Sequence, residues 1–143
     1  MQSAIDFQQL VAVAGDAIVV CDPSGVITLW NPAAEYIFGF TESDALGQSL
    51  DLIIPERLRQ RHWEGYRKTM ETGQTRYGHD VLRVPGVHKD GRAMSISFTV
   101  ALLYSADKKI TGIASIIRDE TSKFNEERAL RKRLADLEAK PGV

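Results

Sequence analysis

One cysteine, Cys21, is all the thiol chemistry that the 143 residues contain. A lone cysteine forms no disulfide within the chain and no cysteine-based metal site. No apolar run approaches the roughly 18 residues that a membrane-spanning helix needs. The opening MQSAIDFQQL lacks the basic start and apolar stretch of a signal peptide. An excess of either charge is also missing: 18 Lys and Arg against 19 Asp and Glu leave a net −1. The total therefore predicts neither nucleic acid nor an anionic membrane as a partner. There is no G-x-S-x-G, no phosphate-cradling glycine loop and no H-E-x-x-H, which argues against an enzyme. Together these absences predict a cytoplasmic protein without catalysis of its own.

What is present is an ordinary globular composition, 43% hydrophobic, at a length that builds one core without staples. The stretch from 54 to 74, IPERLRQRHWEGYRKTMETGQ, reads as one long central helix. Pro55 suits the first helical position and Glu56 the positive end of the helix dipole. Gly73 is a natural stop. Leu58, His62, Tyr66 and Met70 recur every four residues and so share one face. Arg57, Arg59, Arg61, Arg67 and Lys68 fall mostly off that face, as a solvated surface does. A histidine in an apolar stripe is either a packed, hydrogen-bonded side chain or a ligand for a metal or cofactor. His88 belongs to a turn, and His79 to a strand of undefined register.

Before the central helix, residues 3–14 predict a short amphipathic helix, with Ile5, Leu10, Val11 and Val13 on its apolar side. Residues 17–21, AIVVC, and 26–30, VITLW, predict two strands joined by the turn Asp22-Pro23-Ser24-Gly25. Asn31-Pro32 caps and starts a helix that runs to Gly39. Thr41 opens another short helix, with Asp44 placed to return its capping bond. Residues 51–54 connect to the central helix. After it, 75–87 predicts a strand containing Tyr77, with a bulge or bend at Pro85-Gly86. His88-Lys89-Asp90-Gly91 is a hairpin turn. In 93–104, Met94, Ile96, Phe98 and Val100 alternate with Ser95, Ser97 and Thr99, as on the two faces of a strand. Residues 110–117 form the last strand. A charged helix over 121–140 places Leu130, Leu134 and Leu137 at coiled-coil spacing. The economical arrangement is α+β: a five-stranded antiparallel sheet with helices over one face plus terminal helices.

This order resembles the PAS sensor domain, through DPSGVITLWNPAAEYIFGF, TESDALGQSL, the central helix, HKDGRAMSISFTVALL and ITGIASIIRDETS. The resemblance implies an N-terminal amphipathic helix (1–15), a sensor domain (16–120) and a C-terminal signalling or dimerisation helix (121–143). It also implies a small-ligand or cofactor pocket between the central helix and the sheet. From the inward stripe and the strands facing it, the expected lining is Leu58, His62, Tyr66, Leu82, Ile96, Phe98, Ile113 and Ser115. A closer likeness is to the haem-binding PAS domains of rhizobial oxygen-sensing histidine kinases. It rests on Pro55-Glu56-x-x-Arg59-x-Arg61-His62, Met70-x-Thr72-Gly73 and Lys89-Asp90-Gly91. That likeness implies haem b with His62 as the axial iron ligand and a diatomic gas as the signal. Two positions depart from it. The family tyrosine is one place late, as Tyr66, and the arginine over the bound gas falls at Leu82. A flavin photoadduct needs a reactive cysteine near the pocket helices, whereas Cys21 ends the first strand. Trp30 and Trp63 are expected to pack rather than to form a cage. The expected partners are a second copy of the chain and a downstream output domain or partner protein. The alternative function is a cofactor-free dimerisation and protein-interaction module.

Overall fold

The computed structural model describes residues 4–75 and 79–139. Strands β1 (Ala17–Cys21) and β2 (Ile27–Trp30) form the first hairpin. Helix α1 (Phe7–Val13) precedes them, and the Asp6 carboxylate accepts from Gln9 N at 3.0 Å to cap it. Helices α2 (Pro32–Phe38) and α3 (Glu42–Ala45) follow, then a 3-10 turn (Leu50–Ile53) and the central helix α4 (Glu56–Thr72). Strands β3 (Leu82–Val87), β4 (Ala93–Tyr104) and β5 (Ile110–Asp119) complete a sheet of order β2-β1-β5-β4-β3, antiparallel throughout. Helix α5 (Thr121–Ala139) leaves it.

The capping chemistry explains the helix starts. Asn31 Oδ1 accepts from Ala34 N at 3.0 Å, and Pro32 fills the first turn of α2. Gly39 ends that helix at φ 84°, a left-handed conformation that glycine adopts at little cost. Thr41 Oγ1 accepts from Asp44 N at 3.2 Å. The Asp44 carboxylate does not return that bond as expected; it lies 3.6 Å from Lys89 Nζ.

Register fixes which side chains share a face. Val19 pairs with Trp30 and Ser115, Cys21 with Ile113, and Ala17 with Ile117. Ser115 in turn pairs with Val100, Ile113 with Leu102, and Ile117 with Phe98. Phe98 pairs with Leu82, and Ile96 with Val84. Directly opposed residues point to the same side of a sheet, so Leu82, Ile96, Phe98, Ile113 and Ser115 share the face of the buried Val19 and Cys21. The core sits there, with Trp30, Phe38, Ile27, Val19 and Cys21 its largest fully buried side chains.

Several local expectations change. The strand expected over 75–87 begins only at Leu82. Thr75 and His79 to Val81 lie outside it, and Tyr77 falls outside the described residues. The polar His79-Asp80 step offers no alternating apolar face to a neighbouring strand. No bulge forms at Pro85-Gly86, because the pairing runs unbroken from Leu82↔Phe98 to Val87↔Ala93. β3 is an edge strand, where a proline without an N–H is tolerated. Pro55 takes the position just before the first turn of α4 instead of the first position within it. The root of α5 crosses the outer face of the sheet. Ser95 N donates to Thr121 Oγ1 at 3.1 Å, and Ser97 Oγ donates to Glu120 Oε1 at 3.1 Å, which buries Ser97.

Candidate functional site

The inner face is covered unevenly. On β1, Ala17, Val19 and Cys21 are buried, yet on the central and far strands Leu82, Phe98, Val100, Leu102, Ile113 and Ser115 are only half-buried. Ile96, nearer the 3-10 turn, is buried. The inner face of the central and far strands is therefore incompletely covered. Leu58 and Met70 from α4, with Phe98 and Ile113 from the sheet, are partly buried against the core.

Helix α4 is held at its flank. The Tyr66 hydroxyl donates to the Asp22 carbonyl oxygen at 2.5 Å, tying α4 to the β1–β2 turn. The Trp63 indole N–H donates to Asp51 Oδ1 at 2.7 Å, tying it to the 3-10 turn. The Trp63 ring lies against Gly25, whose φ is 88°; a Cβ there would fall inside the indole. Arg59 reaches back to the carbonyls of Ile54 and Asp51, at 3.1 and 3.2 Å.

His62 lies between these ties. Its ring stands 4.5 Å from the Trp63 ring, edge to face, and 5.9 Å from Tyr66. Its Nδ1 is buried and has no hydrogen-bond partner among the described residues. Burial pushes its pKa below the ordinary value, opposed by the nearby Asp51 carboxylate, so the neutral imidazole is favoured. A neutral ring is the form in which histidine ligates a metal. Among the described residues, no cluster of three or more His, Cys, Asp and Glu could hold a metal ion. An axial ligand to a prosthetic group is one donor and needs no such cluster.

The other candidates fare differently. His79 is exposed. His88 is half-buried, with Nδ1 3.1 Å from Asp90 Oδ1 and its ring close to Gly39. Cys21 is buried and its thiol is pushed up to about 12, mainly by burial and further by Asp22. Burial of this kind disfavours the reactive thiolate. Trp30 is buried and donates to the Phe40 carbonyl at 2.9 Å, so it packs as expected.

A second feature has no counterpart in the sequence reading. A cleft of about 460 Å³ opens between α4 and the β1–β2 turn, lined by Pro23, Ser24, Trp63, Tyr66, Arg67, Met70 and Glu71. Of the eight expected lining residues only Tyr66 borders it. The signal available was a second stripe on α4, Trp63, Arg67 and Met70 or Glu71 at helical spacing. What it faces depends on a turn 40 residues earlier, which spacing alone does not reveal.

The PAS fold profile matches residues 5–119. The chain belongs to the PAS family. It is 29% identical over 125 residues to the sensor protein FixL of Bradyrhizobium diazoefficiens, covering 87% of this chain and 23% of that protein. It is also 29% identical over 101 residues to the oxygen sensor protein DosP of Escherichia coli, covering 71% and 12%. The chain thus spans less than a quarter of the curated relatives it matches. The PAS domain of a Colwellia psychrerythraea protein superposes with a TM-score of 0.71 at 24% identity, covering 81% of this chain and 95% of that one. The α+β sheet and its helices are therefore those of a PAS sensory module.

Proposed function

We propose that this PAS domain holds a small ligand or cofactor between α4 and the inner face of the sheet, with haem b the leading candidate and a diatomic gas its signal. The single observation that carries this reading is His62 Nδ1, buried on α4 and unpaired among the described residues. A buried nitrogen without a partner costs stability, and a bound group gives that site a use. On this reading His62 would hold the group through its neutral imidazole, and Leu58, Tyr66, Leu82, Ile96, Phe98, Ile113 and Ser115 would line the pocket. When bound, the iron would supply reversible gas binding. His62 would orient the group, and Leu82, apolar where the resemblance expects arginine, would leave a bound gas without a cationic donor. The relatives that are sensor proteins support the sensory half of this reading.

The pocket's state would pass through the terminal helices of a cytoplasmic signalling protein to a second copy or an output domain. A second reading, a cofactor-free dimerisation module, is favoured by the exposed apolar side chains on α1 and α5: Phe7, Leu10, Val13, Leu130, Leu134 and Leu137.

The visible spectrum of the purified chain, before and after added haemin, separates the two. Haem binding predicts a Soret band that His62→Ala abolishes and that His79→Ala and His88→Ala leave intact. An unchanged band in His62→Ala rejects the assignment. A chain that stays colourless with haemin favours another ligand or the cofactor-free module.

A further inference from the structure

The cleft between α4 and the β1–β2 turn has no lining residue from β3, β4 or β5, so it is separate from the inner sheet face. Its volume of about 460 Å³ lies in the range of small-molecule sites. Its walls are held in place by the protein itself. The Trp63 ring is fixed by its bond to Asp51 at 2.7 Å and by its packing on Gly25. The Tyr66 hydroxyl is tied to the Asp22 carbonyl, and the two rings stand edge to face, 5.2 Å apart. A preformed wall spares a ligand the cost of ordering it.

The polar hydrogens of these walls are already spent. The Trp63 N–H goes to Asp51 and the Tyr66 O–H to Asp22. At the turn, Pro23 has no N–H, and the N–H and hydroxyl of Ser24 both donate to Asp22 Oδ1, at 2.9 and 2.7 Å. Pro23, the two rings and Met70 therefore present an apolar floor. Polar recognition falls to the rim. Arg67 and Glu71 stand there one turn apart, both exposed, and neither makes an ion pair with the other or with another described residue. A base that precedes its acid is the weaker order for an i,i+4 pair, which leaves both charges open to a ligand. A simple anion on Arg67 would be repelled by Glu71, and a simple cation on Glu71 by Arg67. A molecule that carries both charges close together, with an apolar body, suits rim and floor at once.

We propose that this cleft is a binding site for a free α-amino acid with a large apolar side chain. The carboxylate meets Arg67, whose guanidinium matches it with two parallel N–H bonds. The ammonium meets Glu71, and the side chain lies on Pro23, Trp63 and Met70. A residue inside a peptide has neither backbone charge and a chain terminus has only one, so the free amino acid is the form that satisfies the rim. The site does not depend on what His62 holds.

Nuclear magnetic resonance of the isotope-labelled full chain, titrated with unlabelled L-phenylalanine, tests the site. The Trp63 indole N–H reports on the cleft wall. The Trp30 indole, buried and bonded to the Phe40 carbonyl, is the internal standard. The expected result is a saturable shift of the Trp63 signal at millimolar ligand, with Trp30 unmoved. N-acetylphenylalanine and phenylalaninamide each lack one charge, and each should bind about fivefold more weakly, as one charge-assisted bond is lost. L-phenylalanine should weaken by the same factor on Arg67→Gln and on Glu71→Gln, two exposed positions whose folding the Trp30 signal checks. Glycine, with both charges and no side chain, should bind more weakly still. Absence of a saturable Trp63 shift with both L-phenylalanine and L-leucine overturns the proposal. So does an equal shift at Trp30, which marks a non-specific effect. Binding of either blocked analogue or of glycine as tight as that of L-phenylalanine overturns it too, as does unchanged affinity in the two rim variants.

Discussion

Asn31 and Ile18 are joined by a hydrogen bond from the Ile18 backbone N–H to Asn31 Oδ1 at 2.9 Å, and the same oxygen caps α2. The amide nitrogen of Asn31 donates to the carbonyls of Val11 and Asp16, at 3.0 and 3.1 Å. One side chain, 3% exposed, thus fastens the end of α1, the start of β1 and the start of α2. Every capacity of the amide is used, which is how a buried polar group avoids its desolvation cost.

Asn31→Ala should therefore lower unfolding stability by about 2–4 kcal/mol, combining a lost cap with buried partners left unpaired. Urea denaturation checks the size. Hydrogen exchange checks the site: protection should fall at Ile18 and Ala34 before it falls on β4.

Gly25 and Trp63 give a second prediction. Gly25 is left-handed at φ 88° and meets the indole directly. Gly25→Ala combines backbone strain with a steric conflict and should cost about 2–4 kcal/mol. The conflict must displace Trp63 from Asp51. Near-ultraviolet dichroism of the tryptophan should change with the melting curve. A stability loss with an unaltered Trp63 environment would mean the backbone strain acts alone.

His62 ties stability to pH. Burial lowers its pKa in the folded chain below the ordinary histidine value, with Asp51 opposing. The unfolded chain then binds a proton that the folded chain resists. The contribution of neutral His62 is fully present above about 6.5 and is lost as pH falls from there through the lowered folded pKa. His62→Gln should flatten that part of the stability–pH profile between pH 8 and 5. Equal slopes for both proteins, measured by urea denaturation at several pH values, would show that His62 carries no such linkage.

The sequence made legible what depends on neighbours along the chain. Asn31-Pro32 announced α2 through capping chemistry, and Met94 to Val100 announced the two faces of β4 by alternation. That alternation also placed Ile96 and Phe98 on the inner face. Features made by remote pairs were not legible. Asp22 and Tyr66 are separated by 44 positions, so neither the tie nor the cleft beside it leaves a local pattern. Trp63 read correctly as a packing residue, but its partners Gly25 and Asp51 come from two other elements. β3 begins later than its sequence predicts, because mixed polar and apolar residues carry no period strong enough to mark an edge strand. His62 stood out as a histidine in an apolar stripe, although only the structure shows its Nδ1 without a partner among the described residues.

The terminal helices supply the last prediction. Leu130, Leu134 and Leu137 on α5 remain more than half exposed, at 65%, 57% and 56%. On α1, Phe7 and Val13 are each 70% exposed. The outer sheet face adds Ile116 and Leu103, at 47% and 41%. An isolated helix as polar as α5 is marginal in water, and one i,i+4 pair, Glu127 with Arg131 at 3.8 Å, adds little to it. The root of α5 is nonetheless held to β4 by the Ser95–Thr121 and Ser97–Glu120 bonds, so its direction is set by the sheet. A second copy placing its own α1 and α5 alongside would cover these side chains around a two-fold axis. Removing residues 122–143 should then shift the chain toward monomer in sedimentation, with the sheet intact by circular dichroism. Leu130→Lys with Leu134→Lys should do the same without shortening the helix. If the full chain and both variants all sediment as monomers at micromolar concentration, a second copy is not what covers the leucines, and α5 is the arm that carries the sensor's state to a different protein or domain.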